Sequence, residues 1–235
     1  MKLLIIIPAY NEANNLSHVI EDIKTHCPHY DYLVVNDGSG DDTVALCSEQ
    51  GYPLLDLPVN LGLAGAFQAG MIYAYENDYD AVVQFDGDGQ HKAEYVPLLA
   101  KQLENNYDIV IGSRFIKERK PINFRMLGSF LISFAMRLTT GFSMCDPTSG
   151  MRIFNRDMIK LFAYDNNYTP EPDTISHLIR CNARVCEIPI NTEERISGKS
   201  YLTFFRSIMY MAQISCSILL IQWFRKDDLK RKNIK

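Results

Sequence analysis

Short apolar runs, each closed by a polar loop, restrict this chain more than any other feature. Leu3–Ile7 is continuously apolar and ends at Pro8, which reads as a strand buried on both faces of a parallel sheet. Tyr32–Val35, Leu54–Leu57, Ala81–Phe85 and Ile109–Ile111 repeat the pattern. Helical spacing lies between them. Asn14–His26 places Leu16, Val19, Ile20 and Ile23 on one face. Asp41 or Asp42 can cap a second helix. Asn60–Gly65 opens a third, rich in small residues (Ala64, Ala66, Ala69, Gly70) that permit close packing on a sheet, and Tyr95–Leu103 reads as a fourth. Strand and helix alternate at short spacing, so the expected class is α/β, with a mostly parallel central sheet flanked by helices.

Ligands of such sheets bind outside the carboxyl ends of the strands. Pro8–Glu12, Asp37–Ser39 and Asp86–Asp88 all fall at such ends and would converge on one crevice. Within Gln84–His91, Asp86 and Asp88 are one residue apart. Paired carboxylates suit a hard divalent ion shared with substrate phosphates. Gly87 and Gly89 allow a sharp turn and close ligand approach. Taken alone, these eight residues read equally well as a polar turn.

No Gly-x-Gly-x-x-Gly follows the first strand and no Walker-type loop occurs, which disfavours dinucleotide and P-loop sites. Charge is divided unevenly. Residues 1–113 hold 4 Lys/Arg and 17 Asp/Glu, whereas residues 114–235 hold 20 and 11. A basic second half suits phosphates or an anionic membrane. The usual nucleic-acid motifs are absent, so nucleic acid is not an expected partner. Cysteines 27, 47, 145, 181, 186 and 216 form no Cys-x-x-Cys pair and read as free thiols. Leu3–Ile7 is too short for the apolar core of a signal peptide.

Beyond Gly112–Phe115, Lys117, Arg119, Lys120 and Arg125 lead into Phe124–Leu138, a helix apolar over most of its circumference. It reads as a helix lying in a bilayer interface or as an ordinary core helix. Ser149–Phe154 and Arg184–Ile190 read as strands, Asp157–Phe162 and Glu171–Arg180 as helices. Ser207–Phe224 reads as an interfacial or partner-bound helix, a membrane span of minimal length, or a core helix. Arg225, Lys226, Lys230, Arg231, Lys232 and Lys235 follow it, and basic flanks lie on the cytoplasmic side.

Pro8-Ala-Tyr-Asn-Glu12, Val35-Asn-Asp-Gly-Ser39, Asn60-Leu-Gly62, Asp86-Gly-Asp-Gly-Gln-His91 and Gly112-Ser-Arg-Phe115 stand in the order found in family 2 glycosyltransferases. With Asp146-Pro-Thr-Ser-Gly-Met-Arg152 and Arg195-Ile-Ser-Gly-Lys-Ser200, the set resembles the dolichyl- and polyprenyl-phosphate glycosyltransferase branch over residues 3 to about 205. The resemblance implies the GT-A fold over residues 1–200, including an interface helix at 124–139. Residues 201–235 would form an apolar membrane-associated helix and a basic tail. It implies that Pro8, Tyr10, Asn11, Glu12, Asp37, Asn60, Asp86, Gly87 and Asp88 bind a nucleotide sugar, UDP-linked by family frequency. Asp86, Asp88 and Gln90 would hold Mg²⁺ or Mn²⁺, and His91 reads as structural. The branch commonly shows Asp-Ala-Asp, so the two glycines here imply a more mobile loop.

The implied reaction is an inverting transfer from that donor to a polyprenyl phosphate, yielding a lipid-linked sugar for cell-envelope glycans. Asp86, Asp88 and Arg114 would be catalytic. Arg114, Arg152, Arg195, Lys199 and Ser200 would position the acceptor phosphate, which is ionised near neutral pH and needs no base. Arginines and lysines of this kind also read as a solvated basic face. If the acceptor were instead a glycan hydroxyl, a base would be required, and Glu171 or Asp173 is placed for it; otherwise they favour a helix N-terminus. A non-catalytic nucleotide-binding subunit is a third reading. A lipid acceptor places the enzyme at the cytoplasmic membrane face, peripheral or anchored by its C-terminal helix. A small membrane-protein partner or a homo-oligomer is expected to complete the anchor.

Overall fold

The computed structural model describes residues 1–117, 124–165, 167–193, 204–220 and 224. Seven strands form one sheet: β1 (Leu3–Ala9), β2 (Asp31–Asn36), β3 (Leu54–Asp56), β4 (Ala81–Gln84), β5 (Ile109–Ser113), β6 (Arg152–Asn155) and β7 (Val185–Pro189). Their order is β3-β2-β1-β4-β6-β5-β7. All pairings are parallel except those of β6, which runs against both β4 and β5. The sheet is thus mostly parallel, as its apolar runs predict.

β1 carries continuous apolar sequence because both sheet faces are covered. Leu3, Ile5 and Ile7 pack with Leu16, Val19, Ile20 and Ile23 of α1 (Ala13–His26) and with Val96, Leu99 and Leu103 of α4 (Val96–Leu103). Leu4 and Ile6 face the other way, onto Ala66, Phe67 and Met71 of α3 (Gly62–Glu76). Small residues serve α3 as expected. A Cβ added at Gly70 would stand 2.7 Å from the side chain of Ile6. α2 (Thr43–Gln50) connects β2 to β3, and a 3₁₀ turn over Ala93–Tyr95 precedes α4.

The second face also receives α5 (Phe124–Thr140), α6 (Arg156–Tyr164), α7 (Pro172–Arg180) and α8 (Phe204–Leu219). α8 packs on α5 and α7, and its Ile214 and Ile218 join the same core as β1 and α3. Packing therefore crosses the domain boundary expected at residue 201. Among the described residues no helix is long and apolar enough to cross a membrane. α8 spans 16 residues, or about 24 Å, short of the roughly 30 Å hydrocarbon core. The minimal-span reading of Ser207–Phe224 is not supported by this element.

The topology decides where a ligand would sit. From β1 the chain builds outward through β2 and β3, then returns to place β4 on β1's other side. The carboxyl ends of β1 and β4 flank this switch point. Because β6 is reversed, its start, not its end, reaches the same edge: Arg152 is in register with Gln84 of β4 and Ile111 of β5.

Candidate active site

Three loops at this edge are tied to one another. Asp37 N donates to Ala9 O at 2.8 Å, and Asp37 Oδ1 accepts from Leu61 N at 2.6 Å. The loop after β2 thereby links those after β1 and β3. Asn11 holds a left-handed φ of 58°, and its backbone N donates to Ser39 Oγ at 2.9 Å while its Oδ1 accepts from Gly40 N at 2.8 Å. Glu12 Oε2 accepts from Asn15 Nδ2 at 2.6 Å. Asn60 Oδ1 accepts from Gly62 N at 3.2 Å at the start of α3. Pro8, Asn11, Glu12, Asp37 and Asn60 therefore belong to one connected rim.

The Asp86–His91 loop closes against that rim. A Cβ added at Gly87 would lie 3.3 Å from Pro8 O and 3.7 Å from Glu12 Cγ. Gly89 takes a φ of 76°, which a side chain rarely allows, so this glycine serves a specific turn. Gln90 N donates to Asp88 Oδ1 at 3.0 Å across it. Asp88 is buried, whereas the Asp86 side chain is 33% exposed. His91 Nδ1 is buried, has no hydrogen-bond partner among the described residues and stands 3.7 Å from Asp86 Oδ2. The His91 ring packs edge-on to Phe85, which fixes it beneath the loop. Two carboxylates and the Gln90 amide offer the oxygen donors that hard divalent ions prefer. Among the described residues no group of three or more His, Cys, Asp or Glu is arranged to hold a metal unaided.

Arg114, the residue after β5, lies within reach of the Asp86 charge, and the loop leading into β6 touches Asp86 at Gly150. Arg114 Nε donates to Asp146 Oδ2 at 2.6 Å and Nη2 to Asp146 Oδ1 at 2.9 Å. Burial pulls the guanidinium pKa down, but the bonds to Asp146 and the charges of Asp146 and Asp86 outweigh it and leave the pKa raised. Asp146 is wholly buried, and its backbone is held in turn. Cys145 N and Asp146 N donate to the two carboxylate oxygens of Glu187 in β7, at 2.6 and 2.8 Å.

Residues 4–162 match the family described as Glycosyl transferase family 2. The chain belongs to this family. The glycosyltransferase is 31% identical over 215 residues to an undecaprenyl-phosphate mannosyltransferase of Micrococcus luteus, covering 86% of this chain and 88% of the relative. It is 30% identical over 215 residues to a polyprenol monophosphomannose synthase of Mycolicibacterium smegmatis, covering 86% and 81%. Among solved structures it resembles the glucosyl-3-phosphoglycerate synthase of Mycobacterium tuberculosis in complex with Mn²⁺, uridine diphosphate and phosphoglyceric acid. That match has a TM-score of 0.66 at 18% identity, over 94% of this chain and 78% of the other, and it supports the GT-A fold.

Not every predicted residue of the glycosyltransferase stands where a ligand contact needs it. Arg152 is buried and spends its guanidinium on three backbone carbonyls: Ser149 at 2.8 Å, Pro170 at 2.7 Å and Pro147 at 2.9 Å. Its placement corrects the expected acceptor-phosphate contact, because the cation is a clamp for the loop before β6. Glu171 and Asp173 are also engaged. Glu171 accepts from the Tyr210 hydroxyl, and Asp173 Oδ2 accepts from Ser217 Oγ at 2.7 Å, so both pin α7 to α8. Burial and the Glu171 charge hold the Tyr210 phenol well above its usual range, which keeps it a donor. Arg195, Lys199 and Ser200 lie outside the described residues, as does the basic tail.

Sequence reasoning missed Asp146 and Glu187 as site residues. Asp146 opens a recognised motif, which was the available signal. Nothing local marks Glu187, whose partners are backbone amides 41 and 42 residues away.

The paired helices α5 and α8 are apolar on their outer surface. On α5, Ile132, Ala135 and Met136 are buried, while Phe130, Leu131, Phe134 and Leu138 form an exposed stripe. Phe130 is 63% and Leu138 68% exposed. α8 adds exposed Ile208, Met209 and Leu219. The two helices meet closely at Gly128, where a Cβ would collide with Met211.

Proposed function

We propose that the protein transfers a sugar from a nucleotide sugar to a polyprenyl phosphate at a membrane surface. The observation that carries this reading is the junction at Asp86. The aspartate loop lies against the Pro8–Glu12 rim on one side, and on the other it faces an Arg114 braced by Asp146. The names of the two relatives, both lipid-phosphate mannose enzymes, support the acceptor class.

Pro8, Tyr10, Asn11, Glu12, Asp37, Asn60 and Gly87 would form the nucleotide rim in this reading. Asp86, Asp88 and the Gln90 side chain would hold Mg²⁺ or Mn²⁺ together with the donor diphosphate. A divalent ion there would neutralise charge growing on the leaving nucleoside diphosphate. The acceptor is a phosphate monoester with a second pKa of about 6, so an anionic oxygen is ready to attack the anomeric carbon. Arg114 orients it. Its Nε and Nη2 are taken by Asp146, which fixes the guanidinium plane and leaves Nη1 to meet the phosphate. Inversion follows from a single displacement. The engagement of Glu171 and Asp173 in α7–α8 contacts argues against the hydroxyl-acceptor route that would need one of them as base.

The exposed stripe on α5 suits the cytoplasmic membrane interface, where the acceptor's tail resides. A uridine-linked donor is the expectation from family frequency. The mannose in both relatives' names favours a mannosyl donor as the second reading. The test offers labelled UDP-glucose, UDP-N-acetylglucosamine and GDP-mannose, each with undecaprenyl phosphate and Mn²⁺ or Mg²⁺. Label in the organic phase from one donor names donor and acceptor class together. Absence of organic-phase label from every donor would overturn the reading.

A further inference from the structure

Gly150 lies directly against the Asp86 carboxylate. A Cβ built there would stand 2.1 Å from Asp86 Oδ2, 2.8 Å from Cγ and 2.9 Å from Oδ1, closer than real contacts allow. Gly150 is not in the left-handed region, so an alanine backbone fits and only the missing Cβ matters. The loop that carries Gly150 has little room to retreat. The buried Arg152 guanidinium grips the carbonyls of Ser149 and Pro147, and Gly112 N donates to Met151 O at 2.9 Å. Arg152 is itself stitched between β4 and β5. The other side of the contact is a partly exposed carboxylate, the side on which the strain would fall.

We infer that Gly150 is a positioning residue: the wall it forms on the acceptor side sets the direction of the Asp86 carboxylate, and thereby the grip on the metal-bound diphosphate of the donor. The same short loop carries Asp146, which orients Arg114. One rigid segment therefore aligns the donor carboxylate and the acceptor cation. The inference rests on the proposed role of Asp86 as a metal carboxylate.

A double-mutant cycle of Gly150→Ala and Asp86→Ala tests it, since coupling between residues in contact appears as non-additivity. Two quantities are measured on each full-length variant: affinity for UDP and GDP by calorimetry, with Mn²⁺ and with EDTA, and the urea midpoint. Gly150→Ala is expected to weaken Mn²⁺-dependent nucleotide affinity at least tenfold and leave affinity in EDTA within twofold. It is also expected to lower the urea midpoint in the parent but not in the Asp86→Ala background, where the colliding carboxylate is gone. Wild-type Mn²⁺-dependent affinity in Gly150→Ala, beside a loss in Asp86→Ala, would overturn this inference alone. An equal stability loss in both backgrounds would assign Gly150 to the loop's folding and overturn it too. Unchanged Mn²⁺-dependent affinity in Asp86→Ala would instead overturn the metal role of Asp86, and the inference with it.

Discussion

Arg114 and Asp146, 32 residues apart in sequence, meet side by side in a two-point pair of 2.6 and 2.9 Å at the edge of the sheet. Such a fork fixes orientation as well as charge. Asp146→Asn keeps the shape and removes the charge. It is expected to raise KM for polyprenyl phosphate about tenfold or more with donor affinity nearly unchanged. Stability should fall on the order of 3 kcal/mol, as when one partner of a buried pair is removed. Steady-state kinetics with varied acceptor, beside urea denaturation, check both.

Arg152 should behave differently, because its work is internal. Arg152→Met leaves the carbonyls of Ser149, Pro147 and Pro170 without their donor. Each unsatisfied buried acceptor costs about 1–3 kcal/mol, so a total loss of roughly 3–9 kcal/mol is expected for the three. Urea denaturation measures it. A folded, stable Arg152→Met enzyme impaired only in acceptor KM would return Arg152 to the phosphate.

Exposure of Phe130 and Phe134 on α5 predicts a loss of membrane affinity without loss of fold. Burying such a side chain is worth about 1.5–3 kcal/mol, or roughly tenfold to a hundredfold in affinity. Phe130→Ser with Phe134→Ser should weaken binding to phosphatidylglycerol-containing vesicles at least about tenfold and leave the thermal midpoint nearly unchanged. Vesicle co-sedimentation and a melting curve read the two effects.

Glu171→Gln and Asp173→Asn separate a base from a brace. Contacts to Tyr210 and Ser217 predict a modest stability loss, about 1 kcal/mol for each weakened hydrogen bond, and turnover within about tenfold of wild type. A fall in kcat of about a thousandfold, with loss of the acid limb of the pH–rate profile, would mark one of them as a base.

Much of this architecture was legible in the sequence, for a physical reason. A strand buried on both faces must be apolar throughout, so Leu3–Ile7 and Ala81–Phe85 announce themselves, and the polar loops that end them mark the ligand edge. The direction of β6 was not legible, since four residues of Arg-Ile-Phe-Asn run equally well either way. Arg152 was assigned to the acceptor phosphate from its motif, because the carbonyls that bury it carry no sequence mark. Gly150 illustrates the same limit, as its neighbour Asp86 is close only in the folded chain. That α5 is apolar over most of its circumference was visible, but which of its residues stay exposed depended on where α8 packs.

If Asp86 and Asp88 share a divalent ion with a nucleoside diphosphate at the mouth of the sheet, nucleotide affinity depends on that ion. Calorimetric titration of the wild-type protein and Asp88→Ala with UDP and with GDP, in Mn²⁺ and again in EDTA, tests it most directly. Binding is expected to weaken about a hundredfold or more when the ion is removed, with a similar loss in Asp88→Ala with Mn²⁺ present. Equal affinity with and without the ion, or an unimpaired Asp88→Ala, would contradict it.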